Sequence, residues 1–181
     1  MRLSKSIAVA LGVALVAVPA IASIKAMTLK ELMAVTTEVV DARIVAKRSF
    51  KLDWPMEGAV YTGLSIEGVS LRTLEPVKTE VVFLGSHDPA DQFGTSEMPT
   101  LQDTRVGSQA VIFYAKDQDI PGRLNVVYDL SGVYRGEQAF GAPVVVGKGE
   151  GFAFAENVKL GDVRTQVRTA HLELAAEQAG K

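Results

Sequence analysis

The sequence predicts a mainly β fold: a small antiparallel barrel, opened by a short N-terminal helix and closed by a C-terminal amphipathic helix. Three observations carry this. Apolar and polar residues alternate with period two over residues 40–47. Turn-forming clusters such as Asp53-Trp54-Pro55-Met56-Glu57-Gly58 and Asp119-Ile120-Pro121-Gly122 separate the strand-like runs. Helical spacing of apolar residues occurs only near the two ends. A sheet with one covered face and a β-sandwich are the alternatives.

Taken in order, Thr28-Leu29-Lys30-Glu31 matches a capping box and predicts a short helix to about Ala34, with Leu29, Leu32 and Met33 on its apolar side. In the first strand Val40, Ala42, Ile44 and Ala46 face one way; Asp41, Arg43 and Lys47 face the other, with Val45 an exception. A second strand is expected over residues 59–74. Gly63 and Gly68 inside it suggest a bulge or sharp bend, and Glu75-Pro76 is expected to end it. Further strands are expected over residues 79–84, 109–115 and 124–128, with weaker ones near 133–135 and 144–146. Asp162 is expected to cap the final helix. Its stripe is Val163, Val167, Ala170 and Leu174, and it should fray beyond about Ala176.

The chain of 181 residues suits one domain, expected over residues 23–175 with a tail at 176–181. Residues 1–22 read as a secretory leader. Arg2 and Lys5 are its positive start, residues 7–18 its apolar run, and Ala20-Ile21-Ala22 its cleavage site. The protein is therefore expected to be exported by the Sec route to the periplasm or beyond. A retained anchor is the alternative, although the apolar run is shorter than the ~20 residues a spanning helix needs. Without Arg2 and Lys5 the net charge falls from −2 to −4, which disfavours nucleic-acid and anionic-lipid partners. The absence of cysteine excludes disulfides, thiolate metal sites, cysteine nucleophiles and lipoprotein anchoring.

The order of elements resembles a broad group of exported bacterial proteins with an OB-like barrel. Thr28-Leu29-Lys30-Glu31-Leu32 running into Val39-Val40-Asp41-Ala42-Arg43-Ile44-Val45 is similar to that group's opening helix and first strand. Arg105-Val106-Gly107-Ser108-Gln109 before the apolar run to Tyr114 resembles its turn into a "Gly-Glu-x-hydrophobic" strand. Leu160-Gly161-Asp162-Val163 to Val167 resembles its final helix. Gln109 departs from the usual acidic residue, and Gly85-Ser86-His87-Asp88 replaces a glycine pair. The resemblance implies an OB-like barrel and no catalytic residues. A more distant likeness is to the tissue metalloproteinase inhibitors, whose metal-chelating N-terminal cysteine is missing here.

The stretch with the most chemical potential is Ser86-His87-Asp88-Pro89-Ala90-Asp91-Gln92. His87, Asp88 and Asp91 could hold a divalent metal, or His87 could act as a base; Asp-Pro and Gly94 could equally just form turns. Other signals fail on context. Gly147-Lys148-Gly149-Glu150-Gly151 lacks the Lys-Ser/Thr ending of a phosphate loop and reads as a flexible hairpin. Ser86 and Ser131 have no nucleophile-elbow setting, Glu57 and Glu67 have no fixed separation, and His171 reads as a boundary residue of the last helix. Trp54 is either an exposed contact residue or a plug at one barrel end.

No cofactor is expected. The leading expectation is a non-catalytic exported binding module whose partner is an exported protein or envelope component. Trp54, Met56, His87 and Phe93 are its contact residues, on the long loops over residues 52–58 and 85–104. The alternative is a metal-binding protein or hydrolase centred on His87, Asp88 and Asp91. Single-stranded nucleic-acid binding would need aromatics interleaved with basic residues, and both charge and export argue against it.

Overall fold

The computed structural model describes residues 26–91, 93–139 and 141–180, so the leader and its cleavage site lie outside the described residues. Helix α1 (Leu29–Val35) starts on the expected capping box: Thr28 Oγ1 accepts from the Glu31 amide, and Glu31 Oε2 accepts from the Thr28 amide at 2.8 Å. Thr36 then turns the chain into an extended conformation, and its hydroxyl donates to Leu32 O at 2.8 Å.

Strand β1 (Glu38–Leu52) is longer than the alternation predicts. Val45 explains its own irregularity: pairing with the next strand jumps from Ile44 to Ala46, so Val45 is the extra residue of a β-bulge. Strand β2 (Ala59–Ser70) runs antiparallel to β1. A Cβ on Gly68 would lie 2.1 Å from Asp41 O, so only glycine lets β1 and β2 coil this tightly. The second strand ends earlier than expected. Ser70 Oγ accepts from the Arg72 and Thr73 amides and Leu74 adopts φ 64°, which makes a turn of residues 71–75. Pro76 then opens β3 (Pro76–Leu84) rather than closing β2.

Strand β4 (Gln109–Lys116) pairs with β1 and with β5 (Asn125–Val127). Val82 of β3 pairs with Val126 of β5 in parallel. The ring β1-β2-β3-β5-β4 therefore closes back on β1. This is the small OB-like barrel, antiparallel except at that one seam. Strands β6 (Val133–Ala139), β7 (Ala142–Val145) and β8 (Val158–Lys159) extend the sheet from β4.

Helix α2 (Leu160–Ala179) follows β8 directly. Asp162 lies in its first turn and does not cap it; the N-cap is Lys159, without a side-chain cap bond. The helix also continues past Ala176, where the sequence expects fraying, and Glu177 near its end pairs with Lys30 of α1. Val163, Val167 and Ala170 are buried as the spacing predicts, with Leu174 packed beside them. Among the described residues, no helix is long and apolar enough to cross a membrane.

Alternation along the strands sorts the core into three clusters. Val40, Ala42, Ile44, Leu64, Ile66, Val81, Phe83 and Ile112 fill the barrel. Val39, Val111, Phe113 and Tyr134 point outward under α1 and α2, where Tyr134 and Phe154 meet edge to face at 5.0 Å. Ala59, Tyr61, Val82 and Ile120 form the third cluster.

Candidate binding face

The third cluster sits on a face that the two connecting loops frame. Residues 53–58 join β1 to β2, and residues 117–124 join β4 to β5. Asp53 Oδ1 accepts the Gly58 amide at 2.9 Å and closes the first loop. Asp117 Oδ1 accepts the Asp119 amide at 2.8 Å and the Ile120 amide at 3.3 Å, so Ile120 turns inward. Around the buried centre lie the partly buried Phe50, Leu52, Trp54, Leu84, Phe93, Leu124 and Val126. Met56 stands beyond them, 54% exposed.

Aromatic rings and one guanidinium organise this face. Phe50 stacks on Tyr61 at 5.9 Å, and the Arg48 guanidinium lies 4.4 Å from the Phe50 ring centroid. Arg48 also grips Glu80 with two bonds of 2.7 Å. That grip holds the Glu80 carboxyl below its ordinary range against a smaller opposing push from burial. The Tyr61 hydroxyl donates to Trp54 O at 3.1 Å. Burial, helped by the negative Asp117, raises the Tyr61 phenol above its ordinary value, so the hydroxyl stays protonated as a donor.

The two expectations for Trp54 merge. Its ring packs on the third cluster while remaining part of the accessible surface. Phe93 does the same from the other long loop, and Met56 projects outward. His87 does not join them. It is half-buried, its ring lies 6.4 Å from Phe83 of the barrel interior, and its Nε2 is 2.7 Å from Pro99 O. Met98 of the same loop packs against the interior cluster. The segment 85–108 thus plugs one barrel mouth, and only Phe93 of its expected contact residues reaches the face.

The three residues of the metal expectation make contacts of their own within the loop. Among the described residues, no group of three His, Asp or Glu side chains is placed to hold an ion. His87 Nε2 is engaged with Pro99 O, and Asp88 Oδ1 accepts the Ala90 amide at 2.9 Å in the Asp-Pro turn. The Asp91 amide donates to Asp88 O at 3.1 Å within that turn. Asp91 Oδ2 is buried without a hydrogen-bond partner. Of the three side chains, Asp88's serves the geometry of the turn.

Two buried carboxylates escaped the reading of the sequence. Asp103 pairs with Lys148 at 3.2 Å, and Asp41 pairs with Arg164 at 2.8 Å and with Gln109. Gln109 stood out only as a departure from an expected acidic residue. No protein-family model, curated protein or solved structure matches this chain.

Proposed function

We propose that the protein is a non-catalytic binding module of the exported compartment, and that the face around Trp54 engages an extended apolar segment of another exported protein. The observation that carries this is the density of half-buried Trp, Phe and Leu around Tyr61, with an exposed Met at the rim. Aromatic residues, Met and Arg are the types enriched where proteins meet. A glycan would also stack on such rings, but it needs free polar groups beside them. Beside the rings the polar groups are spent internally: Asp53 on Gly58, Asp117 on its own loop, Tyr61 on Trp54 O and Glu80 on Arg48, while the exposed Glu57, Asp119 and Arg123 lie on the framing loops. The centre of the face is therefore apolar, with the charges at its rim.

The experiment is capture from a native envelope extract with residues 23–181, followed by titration of the captured protein against variants. Met56→Ala and Phe93→Ala are expected to weaken binding, and Trp54→Ala by about 30-fold, the scale of a ~2 kcal/mol hot spot. Ser96→Ala, in the plug loop, leaves affinity unchanged. Capture that is insensitive to Trp54, Met56 and Phe93, or a ligand that proves to be a saccharide, overturns the reading.

A further inference from the structure

A second concavity opens where the extended sheet forks, and it is independent of the face around Trp54. β6 pairs with β4 only from Val133↔Ile112 to Arg135↔Ala110. From Gly136 onward β6 turns to β7 instead, with Gly136 opposite Val145. The two sheets diverge there, and small residues, Gly107, Ser108, Ala110 and Gly136, alternate with Gln109, Glu137 and Gln138 at the split. A Cβ on Gly136 would come within 3.1 Å of Gln109 Cβ, so the fork tolerates little more. Leu160, the first residue of α2, closes the far side. The result is a cavity of about 410 Å³, within the ~300–1,000 Å³ of small-molecule sites.

Its walls have a distinctive chemistry. Val111, Pro143, Val144, Val145 and Leu160 are apolar. The ionisable residues lining it are Asp41 and Glu137, both acidic, and no Lys, Arg or His lines it. Asp41 is the deeper, 5% exposed. Its carboxylate accepts from Gln109 Nε2 on one oxygen and from Arg164 Nη2 at 2.8 Å on the other. A carboxylate has about four acceptor directions, so roughly two remain. Arg164 reaches Asp41 from α2, outside the lining, and is 53% exposed, so its grip can be shared or released. Glu137 is balanced by Arg135 at 2.8 Å, also from outside the lining.

We infer that this cavity binds a small organic cation, a primary or secondary ammonium carrying a compact apolar body. The ammonium donates to Asp41, and the body fills the fork between Val111, Val144 and Leu160. An anion of the same shape finds no cationic partner in the lining, because Arg164 and Arg135 engage Asp41 and Glu137 from outside it, and binds more weakly.

The test is a titration of residues 23–181 with 2-phenylethylammonium and, separately, with 3-phenylpropanoate, followed by amide NMR. The ammonium is expected to bind saturably and to shift the Gly136, Val111 and Val144 amides; the carboxylate is not. Asp41→Asn should weaken the ammonium about 10- to 100-fold, the value of one charge-assisted hydrogen bond. Because Asp41 is buried and that variant can lose its fold, Val144→Phe is the companion: it fills the cavity, keeps Asp41, and abolishes the shifts. Arg164→Gln frees the carboxylate and should tighten binding. Equal binding of both probes, no saturable shift, or Val144→Phe without effect overturns the inference. None of these outcomes depends on a protein partner at the Trp54 face.

Discussion

Lys148 shows how much a single side chain can conceal. It lies in a glycine-rich hairpin that reads as flexible surface. Yet its Nζ donates to Leu130 O at 2.7 Å and to Asp103 Oδ2 at 3.2 Å, and stands 5.1 Å from the Tyr134 ring centroid. Burial pushes the ammonium below its ordinary value, and the Asp103 carboxylate pulls in the opposite direction. Asp103 is itself 4% exposed, and its other cationic neighbour, Arg135, is 3.9 Å away. Lys148→Met therefore strands a buried carboxylate and is expected to cost about 3–5 kcal/mol in urea unfolding. Adding Asp103→Leu removes the stranded charge, so the double variant should recover most of that loss. A Lys148→Met cost under ~1 kcal/mol would falsify this account of the pair. The pairing was not legible in the sequence because its partners are 45 residues apart and no local periodicity links them. The capping box at Thr28 was legible because both of its partners lie within one turn.

Strand β1 carries the same lesson at the level of an element. The alternation of Val40, Ala42 and Ile44 was readable, and so was the anomaly at Val45; that the anomaly is a bulge became clear only from the pairing. The bulge bends the strand away from β4, whose pairing with β1 ends at Arg43. Ser108 and Gly107 extend that side as far as Ile44. Beyond, among the described residues, Ala46–Leu52 pair on one side only, with β2. Such an edge invites a second chain. Lys47 and Lys51 stand along it, and cations of this kind discourage edge-to-edge association. The double substitution Lys47→Thr, Lys51→Thr should leave the fold intact and produce concentration-dependent oligomers in light scattering. A strictly monomeric double variant sinks the guarding role. The plug segment 85–108 was the least legible element. Its Asp-Pro turn was readable, but nothing local foretold that His87 and Met98 would turn back onto the barrel interior.

At the scale of the molecule, the clusters share their strands. Val39 and Val40 are neighbours, yet one faces the helices and the other the barrel; Phe113 and Ile112 divide in the same way. β2 contributes Leu64 to the barrel and Tyr61 to the outer face. No cluster can be exposed without opening a strand that another needs, so the described residues should unfold as one unit. The molecule carries its own reporters for this. Trp54, the single tryptophan, packs on the cluster of Ala59, Tyr61, Val82 and Ile120. The longer helix, α2, instead packs on the cluster of Val39, Phe113 and Tyr134. Tryptophan fluorescence and helical circular dichroism should therefore give coincident urea transitions. Ile66→Val in the barrel should cost about 0.5–1.5 kcal/mol and move both curves equally, although it touches neither reporter. Separate midpoints would mean that α2 and the β6–β8 extension detach from a barrel that is still closed. The fork at Gly136, where the two sheets already part, is the place where that separation would begin.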